Sequence, residues 1–281
     1  MIEFLVLYLI FSFSFGTIIG SFVNVLAIEL EPNVFSQKTK KSFWSRINRR
    51  SICPKCKKKL EFFELVPILS FIFLRAKCSG CSNKISFRYF FVEIFSGLVF
   101  AGLFYFLFQK YFLIVNGFMI TEFFYWTLIL VGLIVIFLFD FKHKVIPNIV
   151  IFPLFFLAVF YSIFNFQTFS FQFVEFFPDL VRSVFFAFPF FALWFLSKGR
   201  AIGFADWKLI LVLSFFMVDY WQNLFFVFAS FWVGAIYSLP LVFFKKKISM
   251  KSEVPFGPFI ILAFLIVLFF NLSYFSFLNF F

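Results

Sequence analysis

Eight apolar runs, most of them long enough to cross the hydrocarbon core of a bilayer, constrain this chain more than any other feature. They fall at residues 4–28, 90–108, 122–140, 147–164, 180–197, 206–219, 221–244 and 256–279. A crossing helix needs about 20 apolar residues. A backbone in lipid must also satisfy its own hydrogen bonds, which favours helices for continuous runs of this kind. Charged residues occupy only 14% of the 281 positions, too few to coat a soluble globule of that length. The sequence therefore predicts an all-α polytopic membrane protein with about eight transmembrane helices. The run at 206–219 is the shortest, and the gap behind it is tight. The 61 phenylalanines show no fixed spacing and read as lipid-facing bulk in place of Leu and Val, not as a ligand cage. Glu3 precedes the first run with neither a basic n-region nor a small-residue cleavage site, so no cleaved signal peptide is expected.

The formal net charge is +12. Such a charge can mean nucleic-acid binding, but its placement follows membrane topology. Residues 33–89 form the long polar segment and hold 14 of the 25 Lys and Arg residues. If that segment is cytoplasmic, alternating helices bring 142–144, 198–208 and 245–251 to the same side, which then carries 23 of the 25 cations. Lys110 and Arg182 fall outside. The positive-inside bias fixes this orientation, and no nucleic-acid partner is expected.

Within that layout two carboxylates stand out. Asp140 ends the third run and Asp206 begins the sixth, at one membrane face. An ionisable residue in a membrane segment is expensive and points to function. Two carboxylates at one depth can share a proton, one acting as acid and the other as base. The plainer reading makes each a helix-end charge. It suits Asp206 at a helix N-terminus better than Asp140 at a C-terminus, where Lys144 offsets the charge. His143, the single histidine, lies among lysines and reads as a solvated loop residue.

All four cysteines lie in the polar segment, as Cys53-Pro-Lys-Cys56 and Cys78-Ser-Gly-Cys81 with 21 residues between the pairs. That spacing is close to four-cysteine zinc sites, where each C-x-x-C turn supplies two thiolates to a tetrahedron. Two disulfides are the competing arrangement. The cytoplasmic placement keeps thiols reduced and favours zinc. A closed four-thiolate site has no open coordination position, so its role is expected to be structural.

Several segments, in order along nearly the whole chain, resemble the type IV prepilin peptidases, also called prepilin leader peptidase/N-methyltransferases. Gly20-Ser21-Phe22-Val23-Asn24-Val25 is similar to the family's GSFxNV signature, and Ser51 to Cys56 to the start of its cysteine loop. Pro67-Ile68-Leu69-Ser70, Arg75-Ala76-Lys77-Cys78, Ile85-Ser86-Phe87-Arg88-Tyr89 and Glu93 continue the match. Asp140, seven residues before Pro147, resembles the first catalytic aspartate. Gly203-Phe204-Ala205-Asp206-Trp207-Lys208-Leu209 resembles the G-x-G-D motif, and Val254-Pro255-Phe256-Gly257-Pro258-Phe259 the PFGP segment. Two places depart from the pattern. Ala205 replaces the second motif glycine, so a requirement for positive φ there would force the loop to be rebuilt. Ile28-Glu29-Leu30-Glu31-Pro32 stands where a basic residue usually follows the first signature.

The resemblance implies a membrane aspartic endopeptidase with Asp140 and Asp206 as its catalytic pair. Its substrates would be prepilins or pseudopilins, each with a basic leader ahead of an apolar helix. It implies cleavage at the cytoplasmic face of a bacterial inner membrane, N-methylation of the new terminus from S-adenosylmethionine, and zinc on Cys53, Cys56, Cys78 and Cys81. No Rossmann-type glycine loop is visible for the nucleoside cofactor. The expected division is 1–32 for the first helix with GSFxNV, 33–89 for a cytoplasmic four-cysteine domain, and 90–281 for a multi-helix peptidase core. Rival readings are a general G-x-G-D intramembrane protease, against which the cysteine loop argues, and a non-catalytic transporter or assembly factor whose aspartates bind cations.

Overall fold

Asn116 starts the longest buried helix, its side chain accepting the Met119 N–H at 2.8 Å, and the other apolar runs likewise become helices with legible ends. The structure, a computed structural model, describes residues 2–30, 51–53, 55–111, 115–166, 168–200, 202–245 and 254–270. The predicted positions 31–50, Lys246, Lys247, Lys251 and the rest of the last apolar run, 271–279, lie outside the described residues.

Nine α-helices are described: α1 (Ile2–Glu29), α2 (Leu69–Phe73), α3 (Phe87–Lys110), α4 (Gly117–His143), α5 (Asn148–Ile163), α6 (Phe173–Ser197), α7 (Phe204–Ser214), α8 (Tyr220–Lys245) and α9 (Gly257–Phe269). A short antiparallel hairpin, β1 (Phe164–Asn165) with β2 (Ser170–Phe171), joins α5 to α6. All except α2 coincide with the eight apolar runs. Five, namely α1, α3, α4, α6 and α8, are long and apolar enough to cross a membrane, while α5 and α9 are shorter apolar helices of 16 and 13 residues. The run at 206–219 is not one helix. It ends at Ser214, and the Phe216 and Met217 N–H groups turn back to the Leu213 and Ser214 carbonyls.

Helix ends follow local chemistry. Lys144 adopts the left-handed conformation (φ 54°) and returns its N–H to the Asp140 carbonyl at 2.8 Å, closing α4. Lys198 and Gly199 do the same for α6, at φ 52° and 77°. Pro147 caps α5, and Pro258 opens α9, where a missing N–H costs nothing.

The chain divides into two compact units, Met1–Tyr105 and Phe106–Phe281. In the first, α1 packs on α3 at close range. A Cβ on Gly20 would lie 2.6 Å from the Ser96 Oγ, so only glycine permits this approach of two membrane helices. The neighbouring Ser21 hydrogen-bonds the buried Glu93 of α3, which also accepts the Ile68 N–H at 2.8 Å. The GSFxNV signature is thus a packing surface with one polar latch.

In the second unit α9 is central and almost wholly buried, packed on α4, α7 and α8. Helix α5 lies against both α4 and α7. Rings of Trp126, Phe216, Phe226 and Phe264 interlock in this core at centroid separations of 5.1–6.3 Å.

Candidate functional site

Asp140 lies in the last turn of α4 and is only 4% exposed. Its Oδ2 accepts the Gly257 N–H at 3.0 Å. Gly257 is the first residue of α9, so the carboxylate faces a helix N-terminus, where free N–H groups and the helix dipole favour an anion. The approach depends on the missing side chain: a Cβ at Gly257 would lie 2.7 Å from the same oxygen and 3.2 Å from Cγ.

Asp206 is the third residue of α7 and is 8% exposed. Its Oδ2 accepts the Gly203 N–H at 3.1 Å, so the side chain caps its own helix. Because α4 and α7 both pack on α9, two carboxyls 66 residues apart in sequence converge, near enough for the charge of Asp140 to act on Asp206. Each therefore stands in a buried pair held by backbone amides.

Ala205 is helical and is not among the described residues with positive φ. The second motif position thus takes no positive φ in this chain. Lys208 Nζ donates to Asn148 Oδ1 at 3.3 Å and lies 4.4 Å from the Phe204 ring centroid, linking the starts of α7 and α5. Trp194 packs on Phe204 at 4.6 Å and Phe191 on Trp207 at 5.4 Å, lining one side of the Asp206 turn with aromatic rings. His143 is the last residue of α4 and not a loop residue, and its half-buried ring lies tilted against Phe139 at 4.8 Å.

The four cysteines also meet. Their sulfurs all lie within 4.8 Å of one another, with Cys53 to Cys81 and Cys56 to Cys78 each at 3.9 Å. A tetrahedron with zinc–sulfur bonds of about 2.3 Å has edges of about 3.8 Å, whereas a disulfide needs about 2.05 Å. The separations fit metal coordination, and all four residues are free thiols. The two knuckles repeat one backbone design. Cys53 N–H bonds the Lys58 carbonyl and Lys57 N–H the Cys53 carbonyl; Cys78 N–H bonds Asn83 and Ser82 N–H bonds Cys78, all at 2.9–3.0 Å. Lys57 and Ser82 turn the chain at φ 58° and 54°. Backbone N–H groups of Cys56 and then Lys55 bring the Cys53 thiol down to about 6, whereas at Cys81 the lowering backbone bond of Asn83 is outweighed by burial and the neighbouring sulfurs, which push it up to about 11.

One buried acid has no part in the sequence reading. Glu122 is fully buried in α4 and binds Lys110 Nζ at 2.7 and 2.9 Å, Tyr111 OH at 2.8 Å and Tyr161 OH at 3.1 Å. It lies 18 residues from Asp140, about 27 Å along one helix, and its carboxylate is saturated with donors, so it serves as a structural tie. Its signal was present: Lys110 is one of the two cations that the topology left over. The functional groups invisible in the sequence are the amides of Gly203 and Gly257, because a motif letter does not say which atom acts.

Two family models match this chain. The Bacterial Peptidase A24 N-terminal domain covers residues 14–107, including all four cysteines, and the Type IV leader peptidase family covers residues 126–239, including both aspartates. Three similar proteins carry the name Prepilin leader peptidase/N-methyltransferase. The one from Vibrio cholerae serotype O1 is 35% identical over 154 residues, which is 55% of this chain and 56% of that relative. Those from Dichelobacter nodosus and Pseudomonas aeruginosa are 26% and 25% identical over 89% and 88% of this chain, and 87% and 85% of their own lengths. No solved structure matches the chain.

Proposed function

The chain belongs to the type IV prepilin leader peptidase family, and from that premise we propose that it is a membrane aspartic endopeptidase which removes the basic leader of type IV prepilins or pseudopilins. The observation that carries the proposal is the convergence of Asp140 and Asp206, both buried, each with one oxygen held by a backbone amide. Two carboxyls whose charges act on one another can share one proton and titrate as a pair. The ionised partner takes a proton from water as the oxygen attacks the scissile carbonyl. The protonated partner donates to the carbonyl oxygen as it gains charge. With each Oδ2 committed to an N–H, each Oδ1 is left for the water and the shared proton. Collapse of the tetrahedral intermediate returns a proton to the leaving amine.

The basic loops orient the enzyme with both aspartates at the cytoplasmic face of a bacterial inner membrane. A prepilin presents its leader junction there, next to an apolar helix that lies among the lipids. Residues 33–89 form the cytoplasmic cysteine domain and 90–281 the peptidase core. Cys53, Cys56, Cys78 and Cys81 would hold a structural zinc, which would tie the two knuckles together. The names of the relatives support a second activity, methylation of the new N-terminal amine from S-adenosylmethionine.

Asp140→Asn and Asp206→Asn test the mechanism. Each is expected to leave a co-expressed prepilin unprocessed while the variant stays in the membrane. Normal processing by either variant removes the aspartic mechanism. Processing that continues while pilus assembly fails favours the cation-binding assembly factor instead. Mass spectrometry of the mature pilin reads methylation, and an unmethylated amine refutes the second activity.

A further inference from the structure

The two knuckles are closed internally by their own backbone bonds, which leaves open what fixes one knuckle against the other. Thiolates at 3.9 Å repel each other, and 21 residues separate the pairs. A set of side chains outside the sulfurs answers this. Lys58 lies two residues beyond Cys56, Ser79 lies inside the second knuckle, and Glu64 belongs to the 3-10 turn Phe62–Leu65 between them. Glu64 Oε1 accepts Lys58 Nζ at 3.2 Å and also the Ser79 hydroxyl, while Lys58 Nζ donates to Ser79 Oγ at 2.7 Å. The other oxygen, Oε2, accepts the Glu61 N–H at 2.8 Å, which fixes the plane of the carboxylate. The Glu64 side chain is 10% exposed and that of Lys58 35%. The Lys58 stem passes directly under the second knuckle, since a Cβ on Gly80 would lie 3.0 Å from its Cδ.

We propose that Glu64 is a positioning residue of the metal site: together with Lys58 and Ser79 it clamps the two knuckles so that four thiols stand at coordinating separation. The inference rests on reading the four cysteines as a metal site. The clamp acts in two ways. It spans from the residue that closes knuckle one to a residue within knuckle two, so rotation of either breaks two hydrogen bonds. It also holds an ammonium beside the sulfurs, offsetting the negative charge that four thiolates leave around a divalent ion. Lys55, which donates to Asn83 at 3.2 Å on an exposed edge, is the weaker second cross-link. Residues that orient metal ligands without touching the metal typically contribute 10–100-fold in affinity.

The test uses the full chain in detergent, titrated with zinc against a chromophoric chelator and with cobalt(II) followed by its thiolate absorption. Glu64→Gln is expected to weaken zinc binding about 10–100-fold while the cobalt spectrum stays that of a tetrahedral four-thiolate site. Ser79→Ala is expected to weaken it less, and Ser79→Thr, which keeps the hydroxyl, to restore it. Should Glu64→Gln fail to fold, the Ser79 pair carries the test. Affinities of Glu64→Gln and Ser79→Ala within twofold of the unaltered chain overturn the clamp. An unaltered chain that binds neither zinc nor cobalt overturns the metal-site reading beneath it.

Discussion

The aspartate pair and the cysteine module hold reactive groups together by opposite means. The aspartates come from α4 and α7, and what fixes them is backbone: the Gly257 amide at the head of α9 and the Gly203 amide at the head of α7. Backbone amides on packed helices cannot rotate away, and they require no further side chain inside a buried site. The cysteines come from a short, mostly exposed stretch. They are fixed by tight turns and by a side-chain clamp at the surface. A small module lacks the apolar bulk to hold four thiols by packing alone, and such modules use a metal as a staple. The difference teaches where each site is vulnerable: the pair to backbone displacement, the module to loss of a ligand.

The largest effect expected is in the pair itself. Asp140→Asn or Asp206→Asn lowers leader cleavage on the order of 10³-fold or more, as loss of a central acid or base does elsewhere, measured as the mature-to-precursor ratio of a purified prepilin. Next comes Gly257→Ala. Its Cβ would lie 2.7 Å from Asp140 Oδ2 and 3.3 Å from Ile146 Cδ1, so α9 and the carboxylate must part. Losing a hydrogen bond to a charged group costs about 1.5–3 kcal/mol, and a misplacement near 1 Å costs about 10²-fold in rate. A fall in kcat of about 10²-fold with the fold retained by circular dichroism is expected. A Gly257→Ala variant with full activity breaks the claim that a backbone amide positions Asp140.

These predictions also measure what the sequence could reveal. That the apolar runs form helices was legible because lipid leaves a continuous apolar run few alternatives, although only five of the described helices are long and apolar enough to cross a membrane. The cysteine site was legible because its chemistry is local: spacing within each knuckle sets the turn, and the turn sets the sulfurs. The aspartates were legible as residue types in costly places. Their meeting was implied by the family resemblance and not by spacing, because it depends on α9, which joins Asp140 to a residue 117 positions away. The early end of α7 at Ser214 was also hidden, since Phe215, Phe216, Met217 and Val218 are as apolar as a helix yet leave it in a turn, the first three buried and Val218 exposed. Ala205 reads as a defect in a motif string, yet the helix that contains it asks for no positive φ there.

Metal removal sharpens the contrast between the units. With Cys78→Ser, or after stripping the full chain with a strong chelator, the module should lose its fixed structure and residues 51–86 should become sensitive to limited proteolysis. Helices α4, α7 and α9 contribute no cysteine to that site, and the Asp140 to Gly257 contact lies wholly within the second unit. Leader cleavage is therefore expected to fall severalfold and not to vanish. Complete loss of cleavage on chelation, with the second unit still folded, would mean that the two sites are not independent.

The smallest effect expected is at Ala205→Gly, which restores the motif's usual letter. Position 205 is the second residue of α7 and takes helical φ. Glycine there relieves no strain, and in a helix interior it is about 1 kcal/mol less favourable than alanine. That corresponds to a fall in melting temperature of about 2–4 °C for a unit of this size. Near the N-terminus, where fewer backbone bonds are committed, the loss should be at the low end. The Asp206 oxygen is held by the Gly203 N–H at 3.1 Å, one residue before the helix begins, and that contact does not pass through the 205 side chain. Cleavage by Ala205→Gly should stay within twofold of the unaltered chain under saturating prepilin. A tenfold gain would show that the methyl group obstructs substrate or carboxyl movement, and would shift the weak point of the pair from the Gly257 amide to the start of α7.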